Sequence, residues 1–499
     1  MNGIALNEDN SHFFNTRAGQ PITVDTVDIF VDQYANTKVE QLLLCPNCMR
    51  TSYDSKVFDP IWRGYDPDGA DNQPLLASLP PEGRSHARKW IHTAWALNQA
   101  GIDVYARWID RARLHGISPW LTMRMNDLHW VDDEKSYIHS EFWREHSEYR
   151  RVPYHFTAWT DRALDYGREE VRDYHFKLIE EMVEHYDFDG LELDWMRFGY
   201  HLRPGHEIEG AELLTEFTGK VRRLLDGWEK QRGHKIRLGA RVPARPQSAL
   251  GLGMDAVTWA RKGYIDWLVV TPFWASTDTD MPMEIWREML DGTGVELCAG
   301  LEILLRAYPS YPLYQTNSIE TVRGAALSLL HRGADRIYLF NYMDSETTID
   351  NRADYQNLLQ EIGDIKEMEK KPRRHVITFT DTWAVGEPQS AALPAVIGEG
   401  GWHAFRIHIG PRPASGTANV VLAFDAANDV TGDLVELRIN GELSVNAEPV
   451  KMVKPCPNEP AWRYKVPLTA LRDGYNVIEL HVNTALTVIW VEIAINSNG

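Results

Sequence analysis

Eight short apolar runs alternate with longer stretches of helical spacing through the first three quarters of the chain. The helical stretches lie at residues 86–115, 167–186, 211–230, 255–262 and 319–332, and a last helix is expected to end near Gly363. Strands that alternate with helices are typical of parallel βα units, and eight of them predict a (β/α)8 barrel. The strands are predicted at residues 3–6, 39–44, 119–123, 188–194, 236–242, 265–270, 295–302 and 336–341.

The pattern of apolar and polar residues changes after a charged stretch at residues 366–374. From there on, short alternating or apolar runs such as 420–424, 434–439 and 475–482 recur between turn residues. Such runs predict an antiparallel β-sandwich. The chain is therefore expected to contain a barrel at 1–365, with long loops after its second and third strands, and a β-sandwich domain at 366–499.

Several predicted barrel strands end in polar residues, which is unusual for strands that are otherwise apolar. The carboxyl ends of the strands of a (β/α)8 barrel meet at one face, and the active sites of such barrels lie there. The sequence therefore predicts an active site at that face. The polar strand ends are Asn7 to Asp9, Arg124 to Asp127, Asp194 with Arg197, Arg241, and Asn341 with Tyr342.

Composition and charge exclude several classes of partner. Hydrophobic residues make up 43% and charged residues 25% of the chain, which is ordinary for a globular protein. The net charge of −19 argues against nucleic acid as a partner, since nucleic-acid binding depends on clustered Lys and Arg. An acidic small substrate stays open, because salt screens distant charges and local arginines decide its binding. No apolar run has the length needed to cross a bilayer, so no membrane partner is expected.

The four cysteines and the start of the chain carry little functional signal. Cys45 and Cys48 form a CxxC pair without a second Cys or His pair at zinc spacing, so reduced thiols are expected. Nothing in the sequence asks for a metal or an organic cofactor. The first residues lack the features of a signal peptide, which favours the cytoplasm by default and leaves export of a longer precursor open.

Two pairs of residues could carry acid and base chemistry. Glu192 and Asp194 project to the same side of the fourth strand, which favours either a catalytic pair or a charge cluster held by arginines. In many barrel glycosidases the fourth strand supplies the nucleophile or the acid. His129 and Asp9 form the other pair: a histidine can donate a proton at neutral pH, and an ionised aspartate can take one from water.

The stretches 7–10, 122–130, 193–198 and 340–342 together resemble the inverting exo-sialidases of glycoside hydrolase family 156, and the similarity runs along the whole chain. The resemblance implies a (β/α)8 domain followed by a β-rich domain, and release of terminal α-linked sialic acid from glycans with inversion. It implies His129 as the acid and Asp9 as the base. It also implies Arg124 and Arg197 as partners of the sialate carboxylate, Asn341 as a substrate contact, and a homodimer.

Other readings stay open beside this one. A barrel glycosidase of another specificity would use Asp194 with Glu192, and a non-catalytic barrel would bind carbohydrate without cleaving it. Further side chains could line the cleft, because long barrel loops commonly shape binding sites. These are His139, Trp143 and His146 in the loop after His129, together with Arg241 and Trp274 after the fifth and sixth strands.

Overall fold

The computed structural model describes residues 3–154, 156–310, 315–427, 431, 434–444, 447–452 and 459–496. The chain divides into two compact units. One comprises residues 5–269 and 290–296, and the other comprises residues 1–4, 270–289 and 297–499. The domain boundary at 365/366 stays a prediction.

Eight parallel strands close into a barrel, which confirms the predicted fold class. Around the barrel their order is β1, β10, β7, β6, β5, β4, β3 and β2. Between β7 and β10 the chain forms a hairpin of two short strands, β8 (Leu304–Leu305) and β9 (Gln315–Thr316). The barrel strands are β1 (Ile4–Glu8), β2 (Val39–Leu44), β3 (Ser118–Arg124), β4 (Gly190–Asp194), β5 (Arg237–Pro243), β6 (Trp267–Thr271), β7 (Glu296–Glu302) and β10 (Arg336–Phe340).

Two tryptophans pack against each other near the starts of β3 and β6. The rings of Trp120 and Trp267 lie 5.2 Å apart, and both side chains are fully buried. Gly190, the partner of Trp120 in the parallel register of β3 and β4, leaves room for the indole. A Cβ atom at Gly190 would lie 2.3 Å from that ring, so this position requires glycine.

Thirteen α-helices are described, and they correct one detail of the prediction. The expected helix at 86–115 is two helices, because the chain turns at Gly101, which has a φ of 71°, and Asp103 caps the second helix through Ala106 N–H. The helices are α1 (His12–Thr16), α2 (Val24–Asp32), α3 (Pro81–Gln99), α4 (Val104–Leu114), α5 (Glu141–Glu145), α6 (Glu169–His185), α7 (Glu207–Arg232), α8 (Pro246–Gly251), α9 (Ala256–Arg261), α10 (Met283–Met289), α11 (Ile319–His331), α12 (Tyr355–Glu361) and α13 (Ile365–Met368). None of the described helices is both long and apolar enough to cross a membrane.

The loops after β2 and β3 are long and contain little regular structure. The first runs from the end of β2 to α3 and includes a 3-10 turn at Pro74–Leu76. Glu181 of α6 holds this loop in place: its carboxylate accepts hydrogen bonds from Tyr53 Oη at 2.8 Å, Ser55 Oγ at 2.5 Å and Lys56 N at 2.6 Å. The second runs from the end of β3 to α6 and includes α5.

The C-terminal part of the chain forms antiparallel sheets, as predicted. In one sheet the strand order is β11, β20, β14, β18, β17, with β12 also paired to β20, and in the other it is β13, β19, β15, β16. Buried residues of both sheets belong to one hydrophobic core, for example Phe405 and Ile478 from one and Val420 and Trp490 from the other. The strands are β11 (Arg373–Val376), β12 (Ala395–Ile397), β13 (Trp402–His408), β14 (Thr417–Phe424), β15 (Val435–Ile439), β16 (Glu442–Leu443), β17 (Ala447–Val450), β18 (Ala461–Val466), β19 (Tyr475–Val482) and β20 (Leu486–Asn496).

Candidate active site

Five side chains that follow β1, β3 and β4 form one hydrogen-bonded group. Asp9 comes directly after β1, Arg124 is the last residue of β3, Asp127 and His129 lie in the loop after β3, and Arg197 lies just beyond β4. Asp9, His129 and Arg197 are partly exposed, whereas Arg124 and Asp127 are buried. The group therefore consists of a buried ion pair and three side chains that solvent can reach.

Arg124 lies at the buried centre of the group and donates hydrogen bonds to two carboxylates. Its Nη2 donates to Asp9 Oδ2, and its Nη1 donates to Asp127 Oδ2 at 3.0 Å. The backbone around it is fixed by Asn47, whose amide bonds both the N–H and the C=O of Arg124, at 3.2 and 3.1 Å. Only 4% of the Arg124 side chain is exposed, so this guanidinium is held in place by its two carboxylate partners.

Asp9 is an ionised carboxylate over the whole physiological pH range. Its Oδ1 accepts hydrogen bonds from Ser11 N at 2.9 Å and Ser11 Oγ at 2.8 Å. Burial raises the pKa of Asp9, but the charges of Arg124 and Arg197 and the Ser11 hydrogen bonds outweigh it and lower the pKa to about 2. Asp9 can therefore accept a proton, although its basicity in this arrangement is low.

The imidazole of His129 bridges Asp127 and Arg197. Its Nδ1 lies 2.7 Å from Asp127 Oδ1, and its Nε2 lies 2.9 Å from Arg197 Nη2. The same Asp127 oxygen accepts a hydrogen bond from His129 N at 3.0 Å, and the Phe198 ring meets the imidazole edge to face at 4.9 Å. Burial and the charge of Arg197 lower the pKa of His129, while Asp127 opposes that shift. The ring is thus oriented by an ionised carboxylate and kept neutral by its surroundings.

Asp194 and Glu192 do not reach the exposed part of the group. Asp194 is 1% exposed and forms an ion pair with Arg241 Nη1, at 2.9 Å to Oδ1 and 3.1 Å to Oδ2, while Arg241 itself is fully buried. Asp194 Oδ1 also accepts from Met196 N at 3.0 Å and Arg197 N at 2.8 Å. Glu192 is fully buried and accepts from Thr122 Oγ1 at 2.7 Å. Of the two interpretations of this strand, the geometry matches a charge cluster held by an arginine.

Asn341 follows β10 and adopts a left-handed backbone with a φ of 63°. Its Nδ2 donates to Glu302 Oε1 at 2.8 Å, and Glu302 is the buried last residue of β7. Asn317 and Tyr342 lie next to this pair, joined by a 3.1 Å hydrogen bond from Asn317 Nδ2 to Tyr342 Oη. The role of Asn341 as a substrate contact stays a prediction. Glu302 was not among the predicted site residues, although an acidic residue at the end of a predicted strand was a usable signal.

The remaining predicted cleft residues make hydrogen bonds and packing contacts within the protein. His139 is fully buried, donates from Nε2 to His129 O at 2.9 Å, and packs on Trp143 with ring centroids 4.5 Å apart. Burial lowers the pKa of His139 to about 4, so it is neutral. His146 is partly exposed and pairs with Glu148 at 3.0 Å. Trp274 is 38% exposed, and its backbone N–H donates to Asp381 at 2.9 Å.

Two bulky residues next to the group have strained backbones. Trp130 has a φ of 53° and Phe198 a φ of 69°, and each directly follows a member of the group. Large side chains avoid this region, at a cost of about 1–3 kcal/mol, and such strain is concentrated at functional sites. Trp130 is also 52% exposed. The strain and the exposed indole thus lie directly beside His129 and Arg197, the predicted site residues.

The cysteines and the potential metal ligands in the described part of the chain form no metal centre. Cys45 and Cys48 are buried and free, and burial raises the pKa of each thiol to about 12. Cys456 lies outside the described residues. Within those residues, no group of three or more His, Cys, Asp or Glu side chains is placed to hold a metal ion.

No protein-family model matches the chain, and no curated protein sequence matches it either. Solved structures with a similar fold include α-L-fucosidase isoenzyme 1 from Paenibacillus thiaminolyticus, with 13% identity, a TM-score of 0.33 and coverage of 96% of each chain. Chitinase ChiA74 from Bacillus thuringiensis has 9% identity and a TM-score of 0.38, covering 98% of this chain and 100% of its own.

A third similar structure is the PgaB (BpsB) glycoside hydrolase domain from Bordetella bronchiseptica, with 11% identity, a TM-score of 0.39, and coverage of 72% of this chain and 99% of its own. The chain is thus similar in fold to TIM-barrel glycoside hydrolases of several specificities. Because no protein-family model matches the chain, the family and the specificity that the resemblance implied stay predictions.

Proposed function

We propose that this protein is a glycoside hydrolase for sugars that carry a carboxylate at the anomeric carbon, with terminal α-linked sialic acids as the substrate class. The observation that carries the proposal is the exposed trio of Asp9, His129 and Arg197. It combines a carboxylate, an imidazole and a guanidinium, and a buried Arg124–Asp127 pair fixes two of these three side chains.

In this proposal the reaction is a single displacement. Asp9 takes a proton from water, the water oxygen attacks the anomeric carbon, and the glycosidic C–O bond breaks while His129 protonates the departing oxygen. The configuration at the anomeric carbon is inverted. The low pKa of Asp9 keeps it ionised at neutral pH, which is the state that a base requires.

Arginine suits the recognition of the substrate carboxylate, because its planar fork binds both oxygens of a carboxylate. Arg197 is the accessible one, and Asp194 fixes its backbone N–H. Arg124 is buried behind Asp9, so we assign it the role of holding the base as well as that of a second carboxylate partner. The proposal therefore predicts that binding depends first on Arg197.

Proton NMR of the reaction with an aryl α-sialoside tests the proposal. Prompt appearance of the β-anomer of free sialic acid would support both substrate class and inversion, and prompt α-anomer would indicate a covalent intermediate. Asp9→Asn should abolish release, and His129→Ala should slow it, less for an aryl leaving group than for an alkyl one, because a phenolate needs less protonation to depart. His146→Ala, a change at a partly exposed histidine of the same loop, should leave release unchanged.

If sialosides are not cleaved, a panel of aryl α-fucosides, β-N-acetylglucosaminides and α-galactosides tests the second reading, a glycosidase of other specificity that uses Asp194 and Glu192. The burial of both carboxylates argues against that mechanism. Saturable sugar binding without release of any sugar would instead indicate a non-catalytic carbohydrate-binding barrel.

A further inference from the structure

We propose that a bound carboxylate activates the acid and the base by drawing arginine guanidinium groups away from His129 and Asp9. The inference rests on the proposed function, because it concerns the same site. It assigns to the anionic group of the substrate a role in catalysis in addition to its role in binding.

The hydrogen bonds of His129 determine its protonation state in the ligand-free site. The ionised carboxylate of Asp127 only accepts, so the proton of the imidazole lies on Nδ1, 2.7 Å away. A guanidinium only donates, so Nε2 presents its lone pair to Arg197 Nη2 at 2.9 Å. In this state His129 is neutral and has no proton on Nε2 to give, so it is not yet a general acid.

Asp9 is restrained in a similar way. Arg124 occupies its Oδ2 and Ser11 occupies its Oδ1, and the charges of Arg124 and Arg197 suppress its basicity. The other titratable groups that act on Asp9 or His129 do not reverse this, since the Cys45 thiol and the Tyr105 hydroxyl are buried and neutral. The neutral His139 donates from Nε2 to the backbone oxygen of His129.

A carboxylate that enters the site meets Arg197 first, because Arg197 is partly exposed and Arg124 is not. The Arg197 Nη2–H bond to Nε2 breaks, and a bond from Nη2–H to the ligand oxygen forms. The guanidinium then faces a full negative charge and can bind both ligand oxygens with its planar fork, whereas the neutral imidazole offers it one lone pair, so the exchange is favourable. Nε2 then takes a proton from solvent, and the imidazolium is held between Asp127 and the negative ligand.

The same ligand changes the surroundings of Asp9. Its negative charge offsets part of the field of the two arginines, and Arg124 Nη2 can share its hydrogen bond between Asp9 and the ligand. Both effects raise the pKa of Asp9 from about 2 and make it a stronger base. A sugar without an anionic group produces neither change, so it should lose turnover as well as affinity.

The test is an NMR titration of the histidine side chains in the full-length protein labelled with 15N-histidine. Acetate and free sialic acid serve as carboxylate probes, and the methyl ester of sialic acid serves as the matched neutral ligand. We expect the carboxylates to raise the pKa of His129 by about one unit or more, since a charge at contact distance shifts a pKa by about 1–3 units. The ester should leave it unchanged, and His146 should not respond to either.

Arg197→Met provides an independent arm. Without the guanidinium the pKa of His129 should already be raised in the absence of ligand, and carboxylates should shift it no further. If saturating carboxylate leaves the pKa of His129 unchanged in the wild-type protein, the inference is overturned, regardless of the pKa measured in Arg197→Met. A shift with acetate in a protein that cleaves no sialoside would support the displacement of Arg197 by a carboxylate and remove the proposed function, so the two failures are distinguishable.

Discussion

Replacing Asp194 by asparagine should destabilise the protein while leaving turnover of the folded fraction nearly intact. Asparagine has the size of aspartate, and its amide oxygen can still accept hydrogen bonds from Met196 N and Arg197 N. What disappears is the negative charge that faces Arg241, a guanidinium that is fully buried. The substitution therefore separates the structural role of Asp194 from the catalytic role that the second reading gives it.

The size of the effect follows from the burial of the pair. Both side chains are at most 2% exposed, and breaking a buried ion pair by removing one partner costs about 3–5 kcal/mol. Unfolding entropy is about 2.1 cal/mol/K per residue, so 499 residues give about 1 kcal/mol/K if the chain unfolds as one unit. Asp194→Asn should therefore lower the Tm by about 3–5 °C.

Differential scanning calorimetry measures the stability, and steady-state kinetics well below the Tm measures turnover. Asp54→Asn is the matched control, because its partner Lys56 and Asp54 itself are 74% and 49% exposed and such pairs contribute at most about 1 kcal/mol. We expect kcat of Asp194→Asn within about threefold of the wild type, since Asp194 touches no reacting group in our mechanism. An unchanged Tm together with a loss of turnover by several orders of magnitude would refute the reasoning and favour Asp194 as a catalytic carboxylate.

Three further predictions concern groups around the site. Asp9→Asn should lower the free energy of unfolding by about 2 kcal/mol at pH 7, because folding lowers the pKa of Asp9 to about 2. This stabilisation is present above about pH 4 and is lost as the pH falls through the folded pKa. The free energies of unfolding of the two proteins, measured by urea titration, should therefore converge near pH 2. Cys45 and Cys48 should resist iodoacetamide at pH 8 in the native protein, since burial raises both pKa values to about 12, and peptide mass spectrometry that finds rapid labelling of either would contradict the burial. Glu181→Ala should speed amide exchange at residues 53–58 at least about tenfold, because three donors of that loop lose their acceptor, while exchange in β3 should stay unchanged.

The barrel could be predicted from the sequence because its strands are apolar on both sides and end in polar residues. The break between α3 and α4 was missed for a physical reason. Helical spacing continues across Gly101, and glycine inside a helical pattern is tolerated at a cost of only about 1 kcal/mol. The decisive signals were local: a left-handed Gly101 and the Asp103 side chain that caps Ala106 N–H.

Strand alternation predicts that Glu192 and Asp194 share a side of β4, but it could not predict how deeply they are buried. Alternation reports the direction of a side chain, whereas exposure depends on the neighbouring strands. Thr122 of β3 and Arg241 of β5 cover the two carboxylates. Asp9, His129 and Arg197 differ because they lie beyond the strand ends, where no neighbouring strand covers them.

The charges of the five hydrogen-bonded side chains bear on how the site discriminates between ligands. Asp9 and Asp127 balance Arg124 and Arg197, and His129 is neutral, so the group has no net charge to attract an anion. In the proposed site a carboxylate competes with groups that already bind the arginines, so we expect a modest ground-state affinity. In the proposed mechanism the displaced partners are the acid and the base, and positive charge develops beside the ligand carboxylate as the glycosidic bond breaks. Interactions that strengthen toward the transition state raise kcat rather than lowering KM. Removal of the substrate's carboxylate should therefore lower kcat by a larger factor than it raises KM.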